Sequence, residues 1–223
     1  MSGFCRHFFA VALILAPAVG FACSADAATG FYAGAGFGLD LMPDRGLEID
    51  ATVGNQRFSL PTTSKWKTGW GVLFTAGYEW DFGLRTEFEY SFREQDVKSF
   101  DSTPWTGTQW DNSLMANALY DIDTGTALTP YIGGGIGGAH ISWGDNFRPT
   151  GTSIIYDGSG VKFAWQGIAG AGYAITPRMT LTLDFRIKGS SGYTFPSTSG
   201  VVANNFDYMT RTIVLGFRYG FGS

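Results

Sequence analysis

A closed, antiparallel, eight-stranded β-barrel standing in a membrane is the fold this sequence predicts, and three observations predict it. The first is the alternation over Leu84–Arg93: Leu84, Thr86, Phe88, Tyr90 and Phe92 fall on one face, and Arg85, Glu87, Glu89, Ser91 and Arg93 on the other. Successive strand side chains project to opposite sides, so this segment is a strand with one apolar wall and one charged wall. The second is that such stripes are separated by short and long links in turn. The third is that, past residue 22, no run approaches the ~18 consecutive apolar residues of a spanning helix. A chain that crosses hydrocarbon without such a helix must cross as strands closed into a ring, because an open edge leaves backbone groups unpaired in lipid.

The chain begins with an export segment. Arg6 and His7 precede an apolar run from Phe8 to Ala22, and Ala25-Asp26-Ala27-Ala28 follows as a small-residue cleavage site. This three-part pattern reads as a secretory signal peptide over 1–28, leaving 29–223 as one barrel domain. Both cysteines, Cys5 and Cys23, precede the expected cut, so the mature chain has neither a disulfide framework nor thiol chemistry. Lipidation of Cys23 is the alternative reading of this segment. Glycine accounts for 32 of 223 residues, aromatics for 16% and charged residues for 15%, with a net charge of −4 and no basic patch, which argues against nucleic acid as a partner.

Eight strands are expected in order. The first, Phe31–Leu39, sets Phe31, Ala33, Ala35, Phe37 and Leu39 against Tyr32 and three glycines. The second, Gly69–Trp80, presents Trp70, Val72, Phe74, Ala76, Tyr78 and Trp80. The third is Leu84–Arg93. The fourth, Asn112–Ile122, alternates Leu114, Ala116, Ala118, Tyr120 and Ile122 with Ser113, Met115, Asn117 and Asp121. In the fifth, Tyr131–Trp143, a run of glycines leaves the facing undecided. The sixth, Phe163–Ile175, groups Phe163, Trp165, Ala169, Ala171, Tyr173 and Ile175. The seventh, Thr180–Lys188, sets Leu181, Leu183, Phe185 and Ile187 against Asp184, Arg186 and Lys188. The eighth, Thr212–Phe221, sets Ile213, Leu215, Phe217, Tyr219 and Phe221 against Arg218 and small residues.

Short links fall at 81–83, 123–129 and 176–178, each with Gly, Pro or Asp turn chemistry. Long ones fall at 40–68, 94–111, 144–162 and 189–211. Short periplasmic turns and long extracellular loops are the membrane-barrel pattern. A hairpin around Glu48–Leu60 is the route by which the strand count would rise to ten.

Alternation alone does not say which wall faces in. A soluble lipocalin-like binding barrel in the periplasm would hide the apolar wall and wet the charged one. The aromatics favour the inverted arrangement, since Trp70, Tyr78, Trp80, Trp165, Tyr173, Tyr219 and Phe221 sit where a membrane barrel carries its interfacial girdles. The glycine-rich polar faces of the first two strands favour it too, as they suit a narrow lumen crowded by charge. Inverted, the third and seventh strands stand opposite each other. Arg85, Glu87 and Glu89 then face Asp184, Arg186 and Lys188 across the lumen. Such charges should pair, because an unpaired buried charge is costly. The expectation is an ion-pair network that plugs the lumen, with a small conductance or a purely structural filling both open. Glu79, Asp121 and Arg218 form a second expected cluster at the periplasmic mouth.

The segments Phe31-Tyr32-Ala33-Gly34-Ala35-Gly36, Leu84-Arg85-Thr86-Glu87-Phe88-Glu89-Tyr90, Leu114-Met115-Ala116-Asn117-Ala118-Leu119-Tyr120-Asp121, Thr129-Pro130-Tyr131-Ile132-Gly133-Gly134-Gly135 and Gly216-Phe217-Arg218-Tyr219 resemble the small outer-membrane barrels related to OmpA and the opacity-type surface antigens. The resemblance runs over the whole mature chain. It implies a Gram-negative outer membrane, a lipid and lipopolysaccharide environment, insertion by the barrel-assembly machinery, a monomer, and a structural, surface-contact or weakly permeable role with possible host or surface ligands at the loops. Two features depart from the pattern. Phe221 is followed by Gly222 and Ser223 rather than ending the chain, and no peptidoglycan-binding domain follows the barrel.

Other signals carry little chemistry. Gly133-x-Gly135-x-x-Gly138 matches a dinucleotide fingerprint by letter, but strand-like residues continue through Ile141 where a helix is needed. His140 is the single histidine after the export segment, so no metal site or cofactor is expected. His140-Ile141-Ser142 copies part of the His-x-Ser pattern of lipid A deacylating barrels. No glutamate follows Glu94, however, and a serine nucleophile needs an oriented base. A lipid A-modifying enzyme is therefore the alternative to a non-enzymatic role, with Asp145 and Asp157 as the nearest acids.

Overall fold

The alternating stripes pair into a ladder that closes on itself. The structure, a computed structural model, describes residues 29–221 apart from 43–44, 54–55, 101–102, 105–106, 148–151, 158–159 and 197–200, so the export segment with Cys5 and Cys23 lies outside the described residues. The strands are β1 (Gly30–Leu41), β2 (Arg45–Val53), β3 (Gln56–Trp66), β4 (Gly69–Glu79), β5 (Leu84–Phe100), β6 (Thr103–Pro104), β7 (Gly107–Asp121), β8 (Leu128–Phe147), β9 (Thr152–Asp157), β10 (Lys162–Thr176), β11 (Met179–Pro196) and β12 (Val201–Gly220). Eight of them form the ring β1-β4-β5-β7-β8-β10-β11-β12, every neighbour antiparallel. First and last strands close it, with Tyr32 opposite Gly220 and Leu41 opposite Arg211. No backbone edge is left within the membrane layer, as hydrocarbon requires.

The hairpin that the alternative ten-strand count required in the first long link exists, yet it does not widen the ring. Asp40 faces Gly69 at the top of β1–β4, and Arg45 faces Ser64 five residues further along each strand, so the two hairpins share one register. β2 also pairs with β12, and β3 with β5, the same neighbours that β1 and β4 have below. The hairpin is therefore the upper half of the first two strands. The other long links behave alike: β5 and β7 run to 100 and from 107, β8 runs to 147, and β11 and β12 leave only 197–200 between them. What the sequence offers as loops is largely a continuation of the wall above the membrane.

The short links are tight. The Trp80 amide donates to the Leu84 carbonyl at 2.8 Å, and Gly83 turns the chain at φ +82°, a conformation that side-chain-bearing residues rarely adopt. An added Cβ at Gly83 would also stand 2.9 Å from the Asp121 carbonyl.

The wall is inverted relative to a soluble barrel. Phe88 is 67% exposed, Leu114 62% and Leu183 57%, while Glu89 is 0%, Asp111 1% and Lys188 1% exposed. This excludes the lipocalin-like arrangement, in which those two sets would exchange places. Aromatic side chains cluster at two levels of the outer wall. Phe31, Tyr78, Trp80 and Phe82 form a chain of ring contacts near the periplasmic turns, joined there by the Tyr219–Phe221 pair. Trp70 lies between Phe37 and Phe92 near the opposite end. Trp165 and Tyr173 project outward from the upper and lower parts of β10, where Trp165 covers the backbone of Gly189.

The facing of β8 is settled by its neighbours. Tyr131, Ala139 and Ile141 point inward, which places Gly133, Gly135 and Gly137 on the lumen side. These glycines leave space for Met115, Asn117 and Leu119 of β7. A Cβ at Gly135 would stand 1.8 Å from Asn117 Oδ1 and 2.7 Å from the Ala116 carbonyl. Side-chain movement relieves the first clash and not the second. Gly135→Ala is expected to cost about 1–3 kcal/mol, the range for overpacking a filled interior. A urea midpoint for the folded barrel in detergent that matches wild type would contradict this.

Candidate functional site

The lumen holds three tiers of charge. Alternate residues of each strand aim inward, so every second position of β5, β7 and β11 contributes. At the periplasmic mouth, Arg85 donates to Asp121 at 3.0 Å, and Arg218 approaches Glu79 and Asp121 at 3.7 Å each. The Arg85 guanidinium also lies 4.7 Å from the Tyr131 ring centre and 5.8 Å from that of Tyr32. Arg85 thus belongs with the mouth residues rather than with the glutamates of its own strand.

The central tier joins opposite walls. Arg186 of β11 reaches across the barrel to Glu89 of β5, while its Nη2 holds Asp184 at 2.6 Å. Tyr131 donates to the other Asp184 oxygen. Tyr32 donates to Glu87 at 2.6 Å, and Asn117 donates to Glu87 at 3.0 Å and to Glu89 at 2.9 Å. Gln166 completes the set, donating to Glu89 at 3.1 Å and to Asn117 at 2.7 Å. Gly170 makes this geometry possible, since a Cβ there would stand 2.7 Å from Asp184 Oδ1 and 2.8 Å from the Tyr131 ring.

The upper tier contains Arg93 between Asp40 and Asp111, at 3.5 Å from each. Lys188 pairs with Asp111 and donates to Ser113 at 2.9 Å; Thr212 donates to Asp40. Lys188 therefore meets β7 rather than β5.

The sequence reading missed Asp40, Arg93, Asp111, Asn117, Gln166, Tyr32 and Tyr131 as members of this site. Parity would have found most of them. Arg93 continues the charged face of β5, Asp111 shares the face of Ser113 and Asn117, and Asp40 extends the face of Tyr32. Tyr131 was hidden by the glycines that left its strand without a facing.

One cavity of ≈ 30 Å³ lies between the mouth and central tiers, lined by Glu87, Asp184, Thr75 and Thr182 together with the arginines and tyrosines already described. That is room for about two water molecules. On the outside, His140 and Ser142 share the outward face of β8, and Ser142 pairs in the ladder with Asp157. Among the described residues, no three His, Cys, Asp or Glu side chains converge as a metal cage.

A ring of eight antiparallel strands with an apolar exterior and a charge-filled interior defines a small outer-membrane β-barrel protein. The chain belongs to the outer membrane protein beta-barrel domain family, which it matches over residues 8–221. It is 28% identical over 200 residues to outer membrane protein PagN of Salmonella typhimurium, covering 81% of this chain and 82% of that one. It is also 28% identical to an outer membrane protein of Gluconacetobacter diazotrophicus, over 96% of this chain and 63% of that one. In structure it resembles OprG of Pseudomonas aeruginosa with a TM-score of 0.58 at 14% identity, covering 90% of this chain and 99% of OprG, a likeness of fold alone. The Gram-negative outer membrane is its location.

Proposed function

We propose that this barrel is a non-enzymatic surface-contact protein whose lumen is a sealed structural core. The extent of the wall beyond the membrane carries the proposal. A tilted strand needs ~9–11 residues to cross the membrane. β8 and β12 have 20 each, β11 has 18 and β5 has 17. The excess lies on the side of the long links, away from the tight turns. A strand-built rim raised above the bilayer presents its loop tips to host or surface ligands, the usual place for recognition on a barrel scaffold. Lipid and lipopolysaccharide surround the monomer below that rim, after insertion by the barrel-assembly machinery.

The ion-paired tiers support the sealed lumen, since a side chain from each wall reaches a partner on another. Lipid A modification has less support. A serine nucleophile needs an oriented base, and no glutamate follows Glu94 in the chain to orient His140.

Two measurements test the reading. Displayed on a non-adherent Gram-negative strain, the wild-type chain should raise retention on epithelial cells or matrix protein at least several-fold. Replacing residues 45–66 by a two-residue turn should abolish that gain while leaving the heat-modifiable band on gels. Equal retention of the two strains would refute the contact role. In planar bilayers the purified barrel should show no steady current, and stable conductance steps would refute the seal.

A further inference from the structure

We propose that the lipid-facing wall holds one two-chain phospholipid with an ethanolamine headgroup, its acyl chains lying astride Phe88. The site goes beyond the contact role and the sealed lumen and depends on neither; it needs only the membrane orientation of the wall.

That wall is not filled evenly. β11 and β12 present bulky side chains at successive outward positions, Leu181, Leu183 and Phe185 on one and Ile213, Leu215 and Phe217 on the other. Across the ring, register partners form a different row over five strands: Ala33, Ala76, Phe88, Ala116 and Ile136. The outward row beneath it passes through Thr86, Ala118 and Gly134. Phe88, 67% exposed, therefore stands as a ridge between two troughs. One is floored by Ala33 and Ala76, the other by Ala116, Ala118 and Gly134. Together they make a groove of ≈ 900 Å³ that starts at Phe31, Tyr78 and Phe221 of the periplasmic girdle and rises to Ile136.

The occupant follows from the setting. The groove is continuous with the apolar band that meets the bilayer, and left unfilled it would forfeit dispersion contacts along its lining. One ridge between two troughs matches a lipid with two chains. A groove that opens at the periplasmic girdle draws on the periplasmic leaflet, which is phospholipid, and not on the lipopolysaccharide leaflet.

The foot of the groove selects the headgroup. Asp81 in the β4–β5 turn and Asp123 in the β7–β8 link are both exposed, and the Gly83 carbonyl accepts the Asp121 amide at 2.8 Å, which sets the two links side by side. Neither link carries Lys or Arg; Arg178 lies in the link between β10 and β11. Charge complementarity there favours a headgroup ending in an ammonium over an anionic one. It also disfavours a second copy of the barrel, because a two-fold pairing through this face brings the same acids of both copies to one level.

Native mass spectrometry of the mature barrel tests this. The folded protein in nonionic detergent is given equal amounts of phosphatidylethanolamine and phosphatidylglycerol with identical chains. Wild type should retain one lipid per barrel, the ethanolamine form in several-fold excess. Filling both troughs with Ala76→Trp and Ala116→Trp should cut retention at least several-fold, while Leu215→Trp on the bulky wall leaves it unchanged. Asp81→Asn with Asp123→Asn should keep a bound lipid and lose the headgroup preference. This pair leaves the wall untouched, so it decides the matter even if the tryptophan pair gives no heat-modifiable band. Equal uptake of the two lipids by wild type, or retention that survives the filled groove, overturns the proposal in favour of ordinary boundary lipid. An unchanged preference in the asparagine pair overturns it by removing the acidic foot. A two-barrel mass that the tryptophan pair abolishes overturns it in favour of a second copy. Cell retention and bilayer current report separately on the contact role and the seal.

Discussion

Arg186→Ala should destabilise the folded barrel by about 3–5 kcal/mol, the range for removing one partner of a buried charge pair. Arg186 is the sole cation of the central tier, and it joins β11 to β5 across the lumen through Glu89 while holding Asp184 beside it. Truncation leaves both carboxylates buried with only neutral donors. The loss is one of uncompensated charge and not of packing, so it is recoverable. The triple change Arg186→Met, Glu89→Gln, Asp184→Asn should restore most of the stability, because a neutral filling of similar volume needs no counter-charge. Urea titration of the three proteins in detergent micelles, followed by tryptophan fluorescence and gel mobility, measures both differences. A single mutant within ~1 kcal/mol of wild type would show the tier to be solvated like a surface ion pair.

That experiment bears on how far the sequence reaches. The strand set was legible wherever lipid touches it. Hydrocarbon demands apolar residues at every second position, and that demand writes Leu84–Phe92, Leu181–Ile187 and Ile213–Phe221 plainly into the chain. Above the membrane both faces of the wall meet water or other polar groups, the demand lapses, and alternation fades although the ladder continues. This is why Gly189–Pro196 and Val201–Arg211 read as loop and fold as the ends of β11 and β12. Inward parity was equally legible for Arg85, Glu87 and Glu89. Partner choice was not, because it depends on the relative height of strands around the ring, which the register fixes and local sequence does not. Arg85 meets Asp121 and Lys188 meets Asp111 for this reason. Glycine is silent on facing, so the inward Tyr131 and the clearances at Gly135 and Gly170 became visible only beside their neighbours.

Leu183→Arg should cost about 2–4 kcal/mol, and Phe82→Arg about 0–1 kcal/mol, since the penalty for a charge on the lipid face falls from the bilayer midplane to the interface. Leu183 is central among the outward residues of β11, between Leu181 and Phe185, and is 57% exposed on the outer wall. Phe82 is more exposed, at 62%, but lies in the turn between β4 and β5. Exposure alone would therefore rank the two mutations in the opposite order or make them equal. Only a medium that is apolar around Leu183 and polar around Phe82 produces the expected ranking. Refolding each variant into lipid vesicles and titrating with urea gives the free-energy difference directly. Equal small costs at both positions would mean that the apolar wall faces water, and the membrane orientation built on Phe88, Leu114 and Leu183 would fall. A large cost at both would mean that the turn, too, is embedded, which would move the periplasmic boundary beyond Trp80 and Phe221.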